Sequence, residues 1–191
     1  MAGFRASPFF VIFDGQSLNH IPEGDALPEV LMAGRGPYYE CWIDGMPWSV
    51  LDDTLPVRVK PYSQAGLTTI YNMVGGTTDV NNGDSGATMY ATMSAIAQTV
   101  KSYGIDLVVA TTIVPSTSHT GGEITARQNA NTLIMADADG HFDYKIDLAG
   151  VTGLDDPTNA TYYIDGTHWG PAGAALAAAT MDPTYDTIMG A

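Results

Sequence analysis

Positive charge is what this chain has least of: 7 Lys and Arg stand against 21 Asp and Glu over 191 residues, a formal net charge of -14. A surface of that sign repels phosphate backbones and anionic bilayers, which excludes nucleic acid as an expected partner. Cysteine is nearly missing. Cys41 is the only one, so an intrachain disulfide and a thiolate metal cluster are ruled out. In the run Tyr38-Tyr39-Glu40-Cys41-Trp42-Ile43 it reads as a buried spectator. No apolar stretch approaches the roughly 18 residues of a membrane span. The run Phe9-Phe10-Val11-Ile12-Phe13 is too short for a signal h-region and reads as a strand. Repeats, low-complexity tracts and dividing linkers are absent too. What is present is a chain 45% apolar, enough for one substantial core, and residues 1–191 are expected to form a single domain.

Five short apolar runs read as buried strands: Phe9 to Phe13, Tyr39 to Ile43, Thr69 to Val74, Leu107 to Ile113 and Tyr144 to Leu148. Between the third and fourth, Met89, Met93, Ile96, Ala97 and Val100 recur at helical spacing. Asp84 or Ser85 is placed to cap that helix, and Gly104 to stop it. Further helices are expected over Glu123 to Ala138 and from Pro171, a residue suited to a first turn, to about Thr180. A shorter one is expected over Trp48 to Leu55. Strands alternating with helices predict a three-layer, flavodoxin-like α/β domain with a five-stranded parallel sheet. Ligands of such sheets bind beyond the C-terminal strand ends. The loops there are Asp14 to His20, Asp44 to Pro47, Gly75 to Gly86 and Pro115 to Gly122, where Gly, Asp, Asn, Ser and His concentrate.

Two segments at opposite ends of the chain carry groups able to do chemistry together. Phe13-Asp14-Gly15-Gln16-Ser17 sets a hydroxyl just past a strand, after a glycine that lets the backbone turn. Asp165-Gly166-Thr167-His168 runs into an Ala-rich helix. A three-residue spacing lets the Asp165 carboxylate accept the Nδ1 proton of His168 while Nε2 faces a serine, the arrangement that activates a hydroxyl nucleophile.

The order of these segments resembles the SGNH, or GDSL-like, hydrolase superfamily, in which four short blocks bring Ser, Gly, Asn and His together. Gly15-Gln16-Ser17 is similar to its first block in the form found among carbohydrate acetylesterases, with Gln for the commoner Asp. Asp44-Gly45-Met46-Pro47-Trp48 resembles the second, Gly76-Thr77-Thr78-Asp79 the third and Asp165-Gly166-Thr167-His168 the fourth. The resemblance spans nearly the whole chain. It implies a catalytic Ser17, Asp165 and His168, an oxyanion hole from the Ser17 and Gly45 N–H groups and a third donor, and neither metal nor organic cofactor. The third donor is an Asn side chain in the family, and Thr78 stands at its place here. Thr78 Oγ1, or a folded-back Asn81 or Asn82, are the candidates to replace it.

The implied activity is hydrolysis of carboxylic esters, acetyl groups on a carbohydrate foremost, with a small-molecule or polysaccharide ester as substrate. Two alternatives stand beside it: a silent carbohydrate-binding or structural module of a surface or virion assembly, and a lipase or thioesterase for longer chains. Gln16, Asn81 and Trp169 are candidates to contact substrate, Trp169 because it adjoins the base and could stack on a sugar. Trp42 and Trp48 are read as core or rim. His20 is expected to point away from Ser17, and His119 to lie on a surface loop at the cleft rim. Asp137, Asp139, His141 and Asp143 around Gly140 read as a polar turn, since their spacing does not fit a calcium loop. The glycines of Gly75-Gly76 and Gly83 to Gly86 lack the Lys of a phosphate-binding loop.

Overall fold

All five apolar runs are strands of one parallel sheet. The computed structural model describes residues 9–17, 26–63 and 66–190. The strands are β1 (Phe9–Gly15), β2 (Tyr38–Glu40), β3 (Thr68–Val74), β4 (Leu107–Thr111) and β5 (Tyr144–Ile146), in the spatial order β2-β1-β3-β4-β5. In register, Val11 lies beside Tyr38 and Ile70, and Val109 beside Tyr144. The helices are α1 (Leu27–Met32), α2 (Trp48–Arg58), α3 (Thr77–Asn81), α4 (Gly86–Ser102), α5 (Gly121–Ala136) and α6 (Pro171–Met189).

Burial on both faces explains why the central strands read as continuous apolar runs rather than as an alternation. Val11, Phe13, Ile70, Val74 and Val109 pack against Leu27 and Leu31 of α1 and Ala174, Ala177, Met181 and Tyr185 of α6. Ile12, Tyr71, Met73 and Val108 face the other way, against α2, α4 and α5. The three-layer α/β architecture is therefore as expected, and no described helix is long and apolar enough to cross a membrane.

Several boundaries differ from those expected. β2 ends at Glu40 rather than Ile43, although Cys41 N–H still donates to Phe13 O at 2.9 Å and Ile43 N–H to Gly15 O at 3.1 Å. β4 and β5 also stop two residues early. Ser85 is the cap of α4, accepting from Thr88 N–H at 3.1 Å. α5 starts two residues early and ends at Ala136, where Asp137 turns left-handed. Its carboxylate then accepts from His141 and Phe142 N–H, both at 3.1 Å, as a polar turn should. The largest difference is α6, which runs through Pro183 to Met189 instead of ending near Thr180. A proline removes one helical N–H and crowds the preceding turn. Core packing outweighs that cost here: Met181 and Tyr185 are fully buried, and Arg35 pairs with Asp182 and Asp186 at 2.7 and 2.5 Å.

Sheet order reverses at β1. β2 lies on one side of it and β3 on the other, which opens a crevice at the C-terminal ends of β1 and β3, the switch point where flavodoxin-like sheets take their ligands.

Candidate active site

Ser17 stands at that crevice. β1 carries the chain out of the core, Gly15 turns it at φ 141°, a backbone state side-chain-bearing residues rarely adopt, and Ser17 follows two residues later. Its Oγ lies 2.7 Å from His168 Nε2, and His168 Nδ1 lies 2.6 Å from Asp165 Oδ2. A carboxylate only accepts, so Nδ1 carries the proton and Nε2 presents a lone pair to the serine hydroxyl. Asp165 Oδ1 takes the N–H groups of Thr167 and His168 at 2.9 and 2.7 Å. Partial burial works to raise the Asp165 pKa, but these hydrogen bonds and the imidazole outweigh it and hold the carboxyl below its usual range. The loop is fastened from outside by Thr117 N–H, which donates to Gly166 O at 2.9 Å. Gly166 is at φ 78°, and a Cβ there would come within 2.4 Å of Thr117 Oγ1.

Two of the three residues before the serine, Asp14 and Gln16, do internal work. Asp14 is fully buried and ion-paired with Arg58, Nη1 to Oδ1 at 2.7 Å and Nη2 to Oδ2 at 3.1 Å. The Tyr71 hydroxyl donates to the same carboxylate. Burial, then the Asp14 charge, pushes the Tyr71 phenol well above its ordinary value, so it remains a donor. Arg58 also donates to Cys41 O at 2.5 Å and Leu51 O at 2.9 Å, tying β1, β2 and α2 at one point. Gln16, only 1% exposed, bridges the other way. Its Oε1 accepts from Gly76 and Thr78 N–H at 3.1 and 3.0 Å, and its Nε2 donates to Asp79 Oδ2 at 2.7 Å. Asp79 Oδ1 accepts from Trp48 N–H at 2.8 Å.

Around Ser17 and His168 lies a cleft of about 380 Å³, walled by Asp44 and Gly45, by Thr77, Thr78 and Asn81, and by Thr167, with Gln16 at its floor. The N–H groups of Ser17 and Gly45 make no hydrogen bond to another described residue. Thr78 N–H is held by Gln16, which leaves the hydroxyl as its remaining donor. Asn81 is aligned by a one-way chain of hydroxyls. Ser116 Oγ accepts Ser118 N–H at 3.1 Å and lies 2.7 Å from Thr167 Oγ1 and 2.8 Å from Ser118 Oγ, which donates to Asn81 Oδ1 at 3.0 Å. With its oxygen engaged, the Asn81 amide has only N–H groups left to offer.

Two expectations need correction and a third is narrowed. Trp169 is 1% exposed and packs in the core beside Tyr163, Ala174 and Ala177. His168 and Trp169 are consecutive in a short extended strip bridged to Tyr163, so their side chains point to opposite faces, one outward and one inward. A sugar therefore cannot stack on it. Gln16 braces the loop, its Oε1 taking the Gly76 and Thr78 N–H groups and one Nε2 hydrogen going to Asp79, which leaves at most one amide N–H for a substrate at the cleft floor. His119 does not sit on a surface loop. It is 7% exposed, its Nδ1 accepts from Ser116 N–H at 3.3 Å, and burial, then the Arg127 charge, lowers its pKa. Trp48 is core, and His20 lies outside the described residues. A second cleft of about 390 Å³ beside α3 and α5, edged by Asp84, Thr120 and Glu123, holds no paired nucleophile and base. The Asp14–Arg58 pair and the Gln16–Asp79 bridge were not anticipated, although three of the four residues fall inside the quoted blocks or just before them.

The sequence matches no protein-family model and no curated protein. The fold does match solved structures. A lipolytic protein of the G-D-S-L family from Veillonella parvula superposes with a TM-score of 0.78 at 16% identity, covering 93% of this chain and 98% of that one. A lipolytic protein of the same family from Desulfitobacterium hafniense gives 0.74 at 15%, covering 91% and 98%. An acetylxylan esterase from Geobacillus stearothermophilus gives 0.70 at 14%, covering 97% and 96%. At such identities the likeness is one of fold, over almost the full length of each chain.

Proposed function

We propose that the protein is a serine ester hydrolase of the SGNH type, working through Ser17, His168 and Asp165 within one catalytic domain. The observation that carries this reading is the unbroken relay from Ser17 Oγ to His168 at 2.7 Å and on to Asp165 at 2.6 Å, at the mouth of an open cleft. Ser17 attacks the ester carbonyl as His168 takes its proton, and Asp165 steadies the imidazolium. The N–H groups of Ser17 and Gly45 and the Thr78 hydroxyl receive the oxyanion. His168 then protonates the leaving alcohol and activates the water that frees the acyl group. None of these steps calls for a metal or an organic cofactor.

Cleft chemistry favours a short acyl group on a polar alcohol. Among the described residues no lining side chain is more apolar than threonine, so they give a long alkyl chain nothing to pack on. Asp44 at the rim and the net charge of -14 disfavour anionic esters. Together with the likeness to acetylxylan esterases in fold, this supports an acetylated carbohydrate, free or within a polysaccharide, and argues against lipase or long-chain thioesterase activity. A series of p-nitrophenyl esters is the check: kcat/KM should fall steadily from acetate to octanoate. A rise with length would overturn the acyl assignment while leaving the nucleophile untouched.

Thr78 has its own test. Thr78→Val keeps the shape and removes the hydroxyl, and should lower kcat by about a hundredfold with KM nearly unchanged, the signature of a donor used only in the transition state. An unchanged kcat would transfer the role to Asn81 or Asn82.

A further inference from the structure

The bridge beneath the cleft has a polarity that its donors and acceptors fix completely. Gly76 and Thr78 each bring a backbone N–H, which can only donate, so they must face the oxygen of the Gln16 amide. That turns the Gln16 NH₂ toward Asp79, where an acceptor is required, and Trp48 N–H demands a second acceptor from the same carboxyl. The ionised form serves both best, because it offers a charged acceptor on each oxygen. We infer that Asp79 is a titrating positioning residue: its carboxylate locks Gln16 in the one orientation that holds the Gly76–Thr78 turn against the nucleophile loop, and its protonation unlocks the site. This rests on the function proposed above, because Thr78 bears the hydroxyl assigned to the oxyanion.

Protonation weakens this frame. A hydrogen on Oδ2 competes with the Gln16 NH₂, and one on Oδ1 with Trp48 N–H, for that oxygen's lone pairs, and either one removes the charge both donors point at in a buried site. Rotating the Gln16 amide to escape would bring its NH₂ onto the N–H groups of Gly76 and Thr78. The groups facing Asp79 are few. From the nucleophile loop comes the neutral Gln16, from α2 the Trp48 N–H, and from the turn after α3 the Asp84 carboxylate, whose charge raises the Asp79 pKa. On the α5 side, Glu123 and Arg127 hydrogen-bond instead to Thr120 and the Ile113 carbonyl, while His119 accepts from Ser116 N–H and faces the Thr77 backbone of the same turn. Burial is the largest influence and pushes Asp79 up to about 6, against the opposing hydrogen bonds from Trp48 and Gln16. The bridge is intact above that pH and lost below it.

The acid limb of kcat/KM should therefore include a proton on Asp79, and it should be one proton less steep in Asp79→Asn. That variant places an NH₂ against a donor at every pH and should lose about 10- to 100-fold in kcat even at pH 8, as displaced catalytic groups do. Gln16→Glu alone sets two carboxylates together and should also be impaired. The double variant Gln16→Glu/Asp79→Asn reverses the polarity with every donor and acceptor satisfied, and should recover to within about threefold of the original kcat. A double variant no better than either single one would overturn the inference, as would Asp79→Asn with full activity and an acid limb as steep as the parent's. A readout free of catalysis separates this from a failure of the proposed function: in Ser17→Ala, the Gln16 side-chain NH₂ resonances should shift with a midpoint near pH 6 and cease to do so once Asp79→Asn is added. Resonances insensitive to pH across that range sink the inference whether or not the protein hydrolyses esters.

Discussion

Ser17→Ala should reduce hydrolysis of an aryl acetate by about four orders of magnitude or more while leaving the folded structure intact, because on the proposed mechanism it removes the atom that bonds to the acyl carbon. His168→Ala should cost a similar factor. The double variant should be little worse than either, since nucleophile and base act as one unit and the loss of one disables the other. Whatever rate remains belongs to the oxyanion donors, which neither substitution touches. Asp165→Asn should be severe as well, because an amide allows the imidazole to settle in the tautomer with its proton on Nε2, facing the serine. The measurement is the initial rate at pH 8 with purified protein, alongside circular dichroism to establish that each variant is folded. Activity indifferent to Ser17 and His168 would overturn the assignment of the nucleophile and base, and a parent protein without activity would leave the silent module as the better description.

Arg58→Met should produce the largest loss of stability. The Asp14 carboxylate has no exposed surface and takes two hydrogen bonds from the guanidinium. Removing one partner of a buried pair strands the other charge, at a cost of about 3–5 kcal/mol. In a protein of this size that is a fall in Tm on the order of 10 °C. Methionine fills much of the same volume, so the loss would reflect charge more than cavity. Adding Asp14→Asn to Arg58→Met should recover a substantial part of it by removing the stranded charge. Urea melts of the four proteins close the cycle; an Arg58→Met midpoint equal to that of the parent would show that the pair contributes nothing.

The strands were legible because burial on both faces leaves long apolar runs that little else in the sequence imitates. α4 was legible because one face carries Met89, Met93, Ile96 and Val100 at helical spacing. α1 and α3 were not, being six and five residues long and too short to show a period. The end of α6 was misjudged because Pro183 is a local signal, whereas the contacts that override it, Met181 and Tyr185 against the sheet, are tertiary. Trp169 was misjudged for a related reason: nearness to His168 in sequence meant the opposite side in an extended strip. Polar residues gave the least away. Gln16, Asp79, Asp14 and Arg58 look like surface residues by type, and only their mutual distances show them to be the frame of the cleft.

The serine and its base are 151 positions apart in the chain, yet 2.7 Å apart in space. Ser17 leaves the ribosome 151 residues ahead of His168, and until the second segment arrives its hydroxyl is an ordinary alcohol. On the proposed mechanism a chain halted before Asp165 is chemically mute however much of its sheet has formed. Reactivity at Ser17 would thus report that the two segments have met.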